Sequence, residues 1–89
     1  MIKIIRNKRY NSETATEIAD RDHHNNGSYS GTTRLMVSPK GSLFWWINAN
    51  GQDLYLGDNI WLPEGDIDLT GFEITNEKLA ASYGLIEEG

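Results

Sequence analysis

The sequence predicts an α+β fold: an antiparallel β-meander of about four to five strands, with a short helix in the N-terminal half and a short C-terminal helix. Three observations predict it. From residue 32 onward, apolar residues recur with a period of two in short runs separated by turn dipeptides. Two other stretches, 11–20 and 74–84, carry capping residues and helical apolar spacing. The chain has 89 residues and no cysteine, which fits one domain with a single core and neither disulfide nor thiolate metal site.

The elements follow in order. "IKII" at 2–5 is a short β-branched run, and the polar "RNK" after it predicts an edge strand with a tight hairpin to Tyr10. In "NSETATEIAD", Ser12 is a good N-cap, Glu13 suits the first turn, and Ala15, Ile18 and Ala19 share one helical face. "DRDHHNNG" at 20–27 then reads as the polar exit from that helix, ended by the turn dipeptide Asn26-Gly27. "TTRLMVS", "SLFWWINA", "DLYLG" and "NIWL" are strands of a meander. The tail "ITNEKLAASYGLIEEG" has Thr75 or Asn76 as N-cap, Leu79, Ala80 and Tyr83 on one face, and Gly84 as its stop.

Charge is divided along the chain. Residues 1–40 hold seven bases and four acids, whereas residues 41–89 hold one base, Lys78, and nine acids, within a net charge of −5. Between Lys40 and Lys78 lie Asp53, Asp58, Glu64, Asp66, Asp68, Glu73 and Glu77 with no base among them. Such a surface attracts cationic partners and repels phosphates, so direct nucleic-acid binding is not expected. The N-terminus has four apolar residues before Arg6, too few for a signal peptide, and no stretch is long enough to span a membrane. The expectation is a soluble, cytoplasmic protein.

Alternation sorts the strand residues into two faces. One is Leu35, Val37, Leu43, Trp45, Ile47, Leu54, Leu56, Ile60 and Leu62; the other is Met36, Phe44, Trp46, Tyr55 and Trp61. The second is aromatic where a solvent-facing sheet would be polar, so either the helices and tail shield it or part of it is a docking surface. Aromatics ringed by carboxylates suit an Arg/Lys-rich partner. The candidate contact residues are Trp46, Asp53, Tyr55, Asp58, Trp61, Glu64, Asp66, Asp68 and Glu73.

Chemistry-bearing motifs are few. His23 and His24 are adjacent, there is no third histidine, and the spacing of Asp20 and Asp22 does not fit a calcium loop. No nucleophile, phosphate loop or HExxH motif accompanies them. The expectation is no catalytic residue, no metal and no cofactor, with the two histidines meeting a helix C-terminus. A metal-dependent enzyme built on Asp20, Asp22, His23 and His24 is the rival reading. A generic interaction module, pairing with itself as a homodimer that buries Trp46, is another.

"KRYNSETATEIA" at 8–19 resembles a motif of small phage and mobile-element proteins, Lys-Arg-Tyr-Asp-Thr-x-Thr-Ala followed by a short helix. "RLMVSPKGSLFWW" at 34–46 looks like the strand pair around a Lys-Gly turn that follows it in that group. The similarity carries over at Tyr10, Thr14, Ala15, Gly41 and Phe44, and departs at Asn11 and Ser12, where the group has Asp-Thr. The group includes anti-CRISPR proteins. The resemblance implies a viral or mobile-element inhibitor, acting in a bacterial or archaeal host, that binds a CRISPR-Cas effector protein or ribonucleoprotein. The acidic segment would then act as a DNA mimic on the effector's basic surface.

Overall fold

A computed structural model describes residues 1–49 and 58–87. The elements are β1 (Ile2–Ile5), β2 (Lys8–Asn11), β3 (Thr16–Asn25), β4 (Ser28–Val37), β5 (Leu43–Ala49), β6 (Asn59–Trp61), β7 (Glu73–Ile74) and α1 (Glu77–Ser82). β1 and β2 form a two-stranded sheet; the other five form an antiparallel sheet in the order β6-β5-β4-β3-β7. This is the α+β class, with one helix among the described residues. The predicted strand "DLYLG" lies outside the described residues. None of the described helices is long and apolar enough to cross a membrane.

The N-terminal hairpin forms as expected. Ile5 pairs with Lys8 across a two-residue turn, Arg6-Asn7, with φ of 51° and 65°. Two positive φ values in succession give the mirror-image turn whose twist suits a hairpin. Asn26-Gly27, with φ of 52° and 81°, repeats the device between β3 and β4.

The predicted helix over residues 12–20 is not there. Residues 12–14 form a turn, and Thr16–Asn25 form the long strand β3. The capping chemistry is real but serves the turn: Asn11 Oδ1 accepts the Glu13 N–H at 2.9 Å, and Thr14 N–H donates to the Asn11 carbonyl at 3.3 Å. Asx-type bonds close a turn as readily as they start a helix. The adjacent apolar pair Ile18 and Ala19, which looked helical, is accommodated by a register shift between Glu17 and Ala19. A bulge lets consecutive residues enter one core, and both side chains are fully buried in the same cluster. "DRDHHNNG" is accordingly the outer half of β3 and its hairpin turn, not a helix exit, and His23 and His24 cap no helix. The short helix expected after the Tyr10 motif is likewise replaced by strand.

The C-terminal helix matches its signals closely. Asn76 Oδ1 accepts the Leu79 N–H, and Gly84 takes a φ of 70° just past the end. Gly84 N–H donates to the Ala81 carbonyl and Leu85 N–H to the Ala80 carbonyl, the paired bonds that finish a helix on a left-handed residue.

Both faces of the large sheet are covered. On one, Ile18, Ala19, Leu35, Val37 and Ala80 are buried with Trp45, Phe72 and Leu79 against them, so the C-terminal segment and α1 form the lid. On the other, Tyr10, Met36, Phe44 and Ile60 are buried with Met1, Ile5 and Trp46, so the N-terminal hairpin forms the lid. The β5–β6 register, Trp45 opposite Trp61 and Trp46 opposite Ile60, corrects the predicted faces. Ile60 and Leu62 join the Phe44 side, and Trp61 joins Trp45. A shift of one residue exchanges every side chain of a strand between faces.

A candidate acidic and aromatic cleft

β6 is an edge of the sheet, and the chain leaving it, Leu62 to Asp68, folds back beside its own strand. Between them lies a cleft of about 420 Å³ walled by Trp45 and Trp61 and rimmed by Glu64, Asp66 and Asp68. The two indoles stack with centroids 6.4 Å apart and planes 22° from parallel. Phe72 backs Trp45 at 5.5 Å. Trp61 remains 37% exposed, so one wall is available from solvent.

The carboxylates differ in their surroundings. Asp68 Oδ1 accepts the Thr70 hydroxyl at 2.7 Å and the Thr70 N–H at 2.9 Å. These donors favour the anion and hold its pKa below the usual carboxylate value. Asp66 is exposed on the same rim. Glu64 lines both this cleft and the adjoining groove between β1 and β6, where Lys3 and Arg6 lie. Asp66 and Asp68 line this cleft and not the groove, and no base is among the described residues of the cleft's lining.

Of the other candidate contact residues, Trp46, Asp58 and Glu73 do not line the cleft. Asp53 and Tyr55 lie outside the described residues. Asp58 is exposed immediately before β6. Trp46 is half-buried on the opposite sheet face from Trp45, with the Arg34 guanidinium 4.9 Å from its ring centroid and its Nε1 buried with no hydrogen-bond partner among the described residues. Arg34 in turn pairs with Glu17 at 2.9 Å and donates to Asn48. Glu73 is in β7, at the far edge of the sheet. It stands across from Asp20. Partial burial, together with the charges of Glu17, Glu73 and Asp22, raises the Asp20 pKa against the opposing pull of Arg34. Of the described candidates, Trp61, Glu64, Asp66 and Asp68 thus line the cleft, and Trp46, Asp58 and Glu73 do not. Trp45 belongs to the cleft although its alternation read as core.

His23 Nε2 lies 2.6 Å from Thr33 Oγ1, while the His24 ring meets Tyr29 edge-on at 6.3 Å. Asp22 accepts from the Thr32 hydroxyl. The two imidazoles thus have separate partners, and no group of metal-ligating side chains converges among the described residues.

Compared with family models, with curated proteins and with solved structures, the chain matches none.

Proposed function

We propose that this protein acts by binding, with no bond-making chemistry of its own, and that its acidic cleft docks on a basic protein surface. The resemblance of residues 8–19 and 34–46 to anti-CRISPR proteins gives that surface an identity, the DNA-binding face of a CRISPR-Cas effector. Occupying it would block DNA binding or cleavage. The observation that carries the reading is the gathering of Glu64, Asp66 and Asp68 around the exposed Trp61. Arginine stacks on an indole through its flat face and pairs with carboxylates through its edge, so one guanidinium can use both features. The chain's own hairpin packs on the Phe44 side of the sheet, which supports this reading over a homodimer through that side.

The test is retention of purified effector complexes on the immobilised protein, followed by a DNA-binding and cleavage assay. The expected result is retention and inhibition, with association of the Asp66→Lys/Asp68→Lys variant slowed on the order of tenfold at low salt and less at high salt. Unchanged association in that variant moves the contact away from the cleft. Failure to retain any effector removes the CRISPR target.

A further inference from the structure

A second cleft, of about 660 Å³, lies between the N-terminal hairpin and the β4–β5 turn. Among the described residues its lining includes Lys8, Arg9 and Lys40 and no acid. That is unexpected in a chain of net charge −5, where like charges repel and a nearby carboxylate is easily supplied. Among the described residues none of the three cations has an ion-pair partner. By contrast Arg34 is bound by Glu17, and Lys3 donates to Asn59.

The neutral polar groups point to the same chemistry. Asn11 Oδ1 is already occupied by the Glu13 N–H, which leaves the Asn11 amide NH₂ to donate. Ser38 Oγ accepts the Ser42 N–H at 3.0 Å, which leaves its hydroxyl proton to donate. The cleft therefore offers cations and hydrogen-bond donors. Both walls are braced. The Lys40 turn is tied by Ser38 N–H to the Ser42 carbonyl, Gly41 N–H to the Ser38 carbonyl, and Tyr83 Oη to the Gly41 carbonyl, each at 2.8 Å. The facing wall is the hairpin whose mirror-image turn ends at Lys8.

We infer that this cleft binds a phosphate group. A phosphate is an anion rich in acceptor oxygens, and Lys and Arg are its usual ligands. Tyr10, the one aromatic among the described lining residues, is buried against Phe44 and offers no face on which a base could stack. Recognition is thus of the phosphate and not of a nucleobase, and its source is either a free phosphorylated compound or a nucleic-acid backbone. The inference is independent of the acidic-cleft reading, since the two clefts share none of the described residues.

The test follows backbone amide signals of the whole chain during titration with inorganic phosphate, pyrophosphate and a six-residue oligothymidylate, with sodium chloride at matched ionic strength as reference. Saturable shifts confined to residues 7–11 and 38–42 are expected, weakened at least about fivefold in Arg9→Gln/Lys40→Gln and unchanged in Arg21→Gln. Tighter binding of the oligothymidylate, with a log–log salt slope of about −2 for three neutralised phosphates, assigns the source to a backbone. Binding of pyrophosphate as tight or tighter assigns it to a free compound, and either result supports the site. Three outcomes overturn it: shifts that chloride reproduces, affinity unchanged in the double variant, or tighter binding of a polyglutamate peptide than of every phosphate probe. Amide spectra of the unliganded variants establish that they are folded.

Discussion

The two clefts are built from the same kind of polar surface segment but in opposite chemical senses. One, beside β6, gathers Asp66 and Asp68 against two stacked indoles. The other, beside the hairpin, gathers Lys8, Arg9 and Lys40 around a buried Tyr10. The sequence already divides charge along the chain, yet the fold sharpens the division by moving individual residues. Arg21 and Arg34 are held in β3 and β4, away from the basic cleft, while Lys40 is carried to the hairpin by the β4–β5 turn. A chain of 89 residues thus sets opposite charges on two clefts at its margins.

The largest way to break the comparison is to remove the aromatic wall from one cleft only. Trp61→Ala is expected to weaken binding to a basic partner by about 2 kcal/mol, roughly thirtyfold, as for an aromatic anchor. Phosphate affinity at the other cleft should stay unchanged, which amide titration would check. Gly41→Ala strains the basic cleft instead: φ is +91°, and the added carbon would lie 3.3 Å from Tyr83 Oη. A loss of about 1–2 kcal/mol in stability is expected from urea denaturation, with weaker phosphate binding beside it.

Tyr83→Phe deletes only the hydroxyl that holds the Lys40 turn. The expected loss is about 0.5–1 kcal/mol by the same measurement, because the bond is exposed to water. The smallest effect concerns an acid that lines neither cleft. Asp20 has its pKa raised above 3.8 by partial burial and by neighbouring carboxylates. Its protonated form is favoured in the fold, so that contribution to stability is complete below 3.8 and is lost as pH rises through the raised value. Asp20→Asn should therefore stabilise the protein at pH 7 by roughly a few tenths of a kcal/mol, water screening the surrounding charges. The gain should vanish near pH 3, as denaturation at both pH values would report.

Turn chemistry and the C-terminal helix were legible in the sequence. Asn26-Gly27 and the Asn76 cap each depend on one or two local residues, and each sits where its signal places it. The stretch from Ser12 to Asn25 was not legible, because the bonds that start a helix and those that close a turn use the same side chains. Only pairing with β4, which the local pattern does not display, decides between them. The acidic cleft was half legible. Asp66, Asp68 and Trp61 are near in sequence, but the entry of Trp45 depends on a β5–β6 register that alternation alone had placed one residue away. The basic cleft was hidden, since Lys8, Arg9 and Lys40 converge only across the hairpin and the Ser38–Ser42 turn.

The short strand Glu73–Ile74 pairs with Ala19 and Asp20, residues more than fifty positions earlier. Hairpins β3–β4 and β4–β5 close over short loops and are expected to assemble quickly, whereas this last pairing is slowed by its long closure. Until it forms, Leu35, Trp45 and Ile18 lack the Phe72 and Ala80 that cover them. A ribosome-bound chain that has not yet released residues 70–87 would thus present an oily sheet to the cell, a species for chaperones to hold and for aggregation to capture.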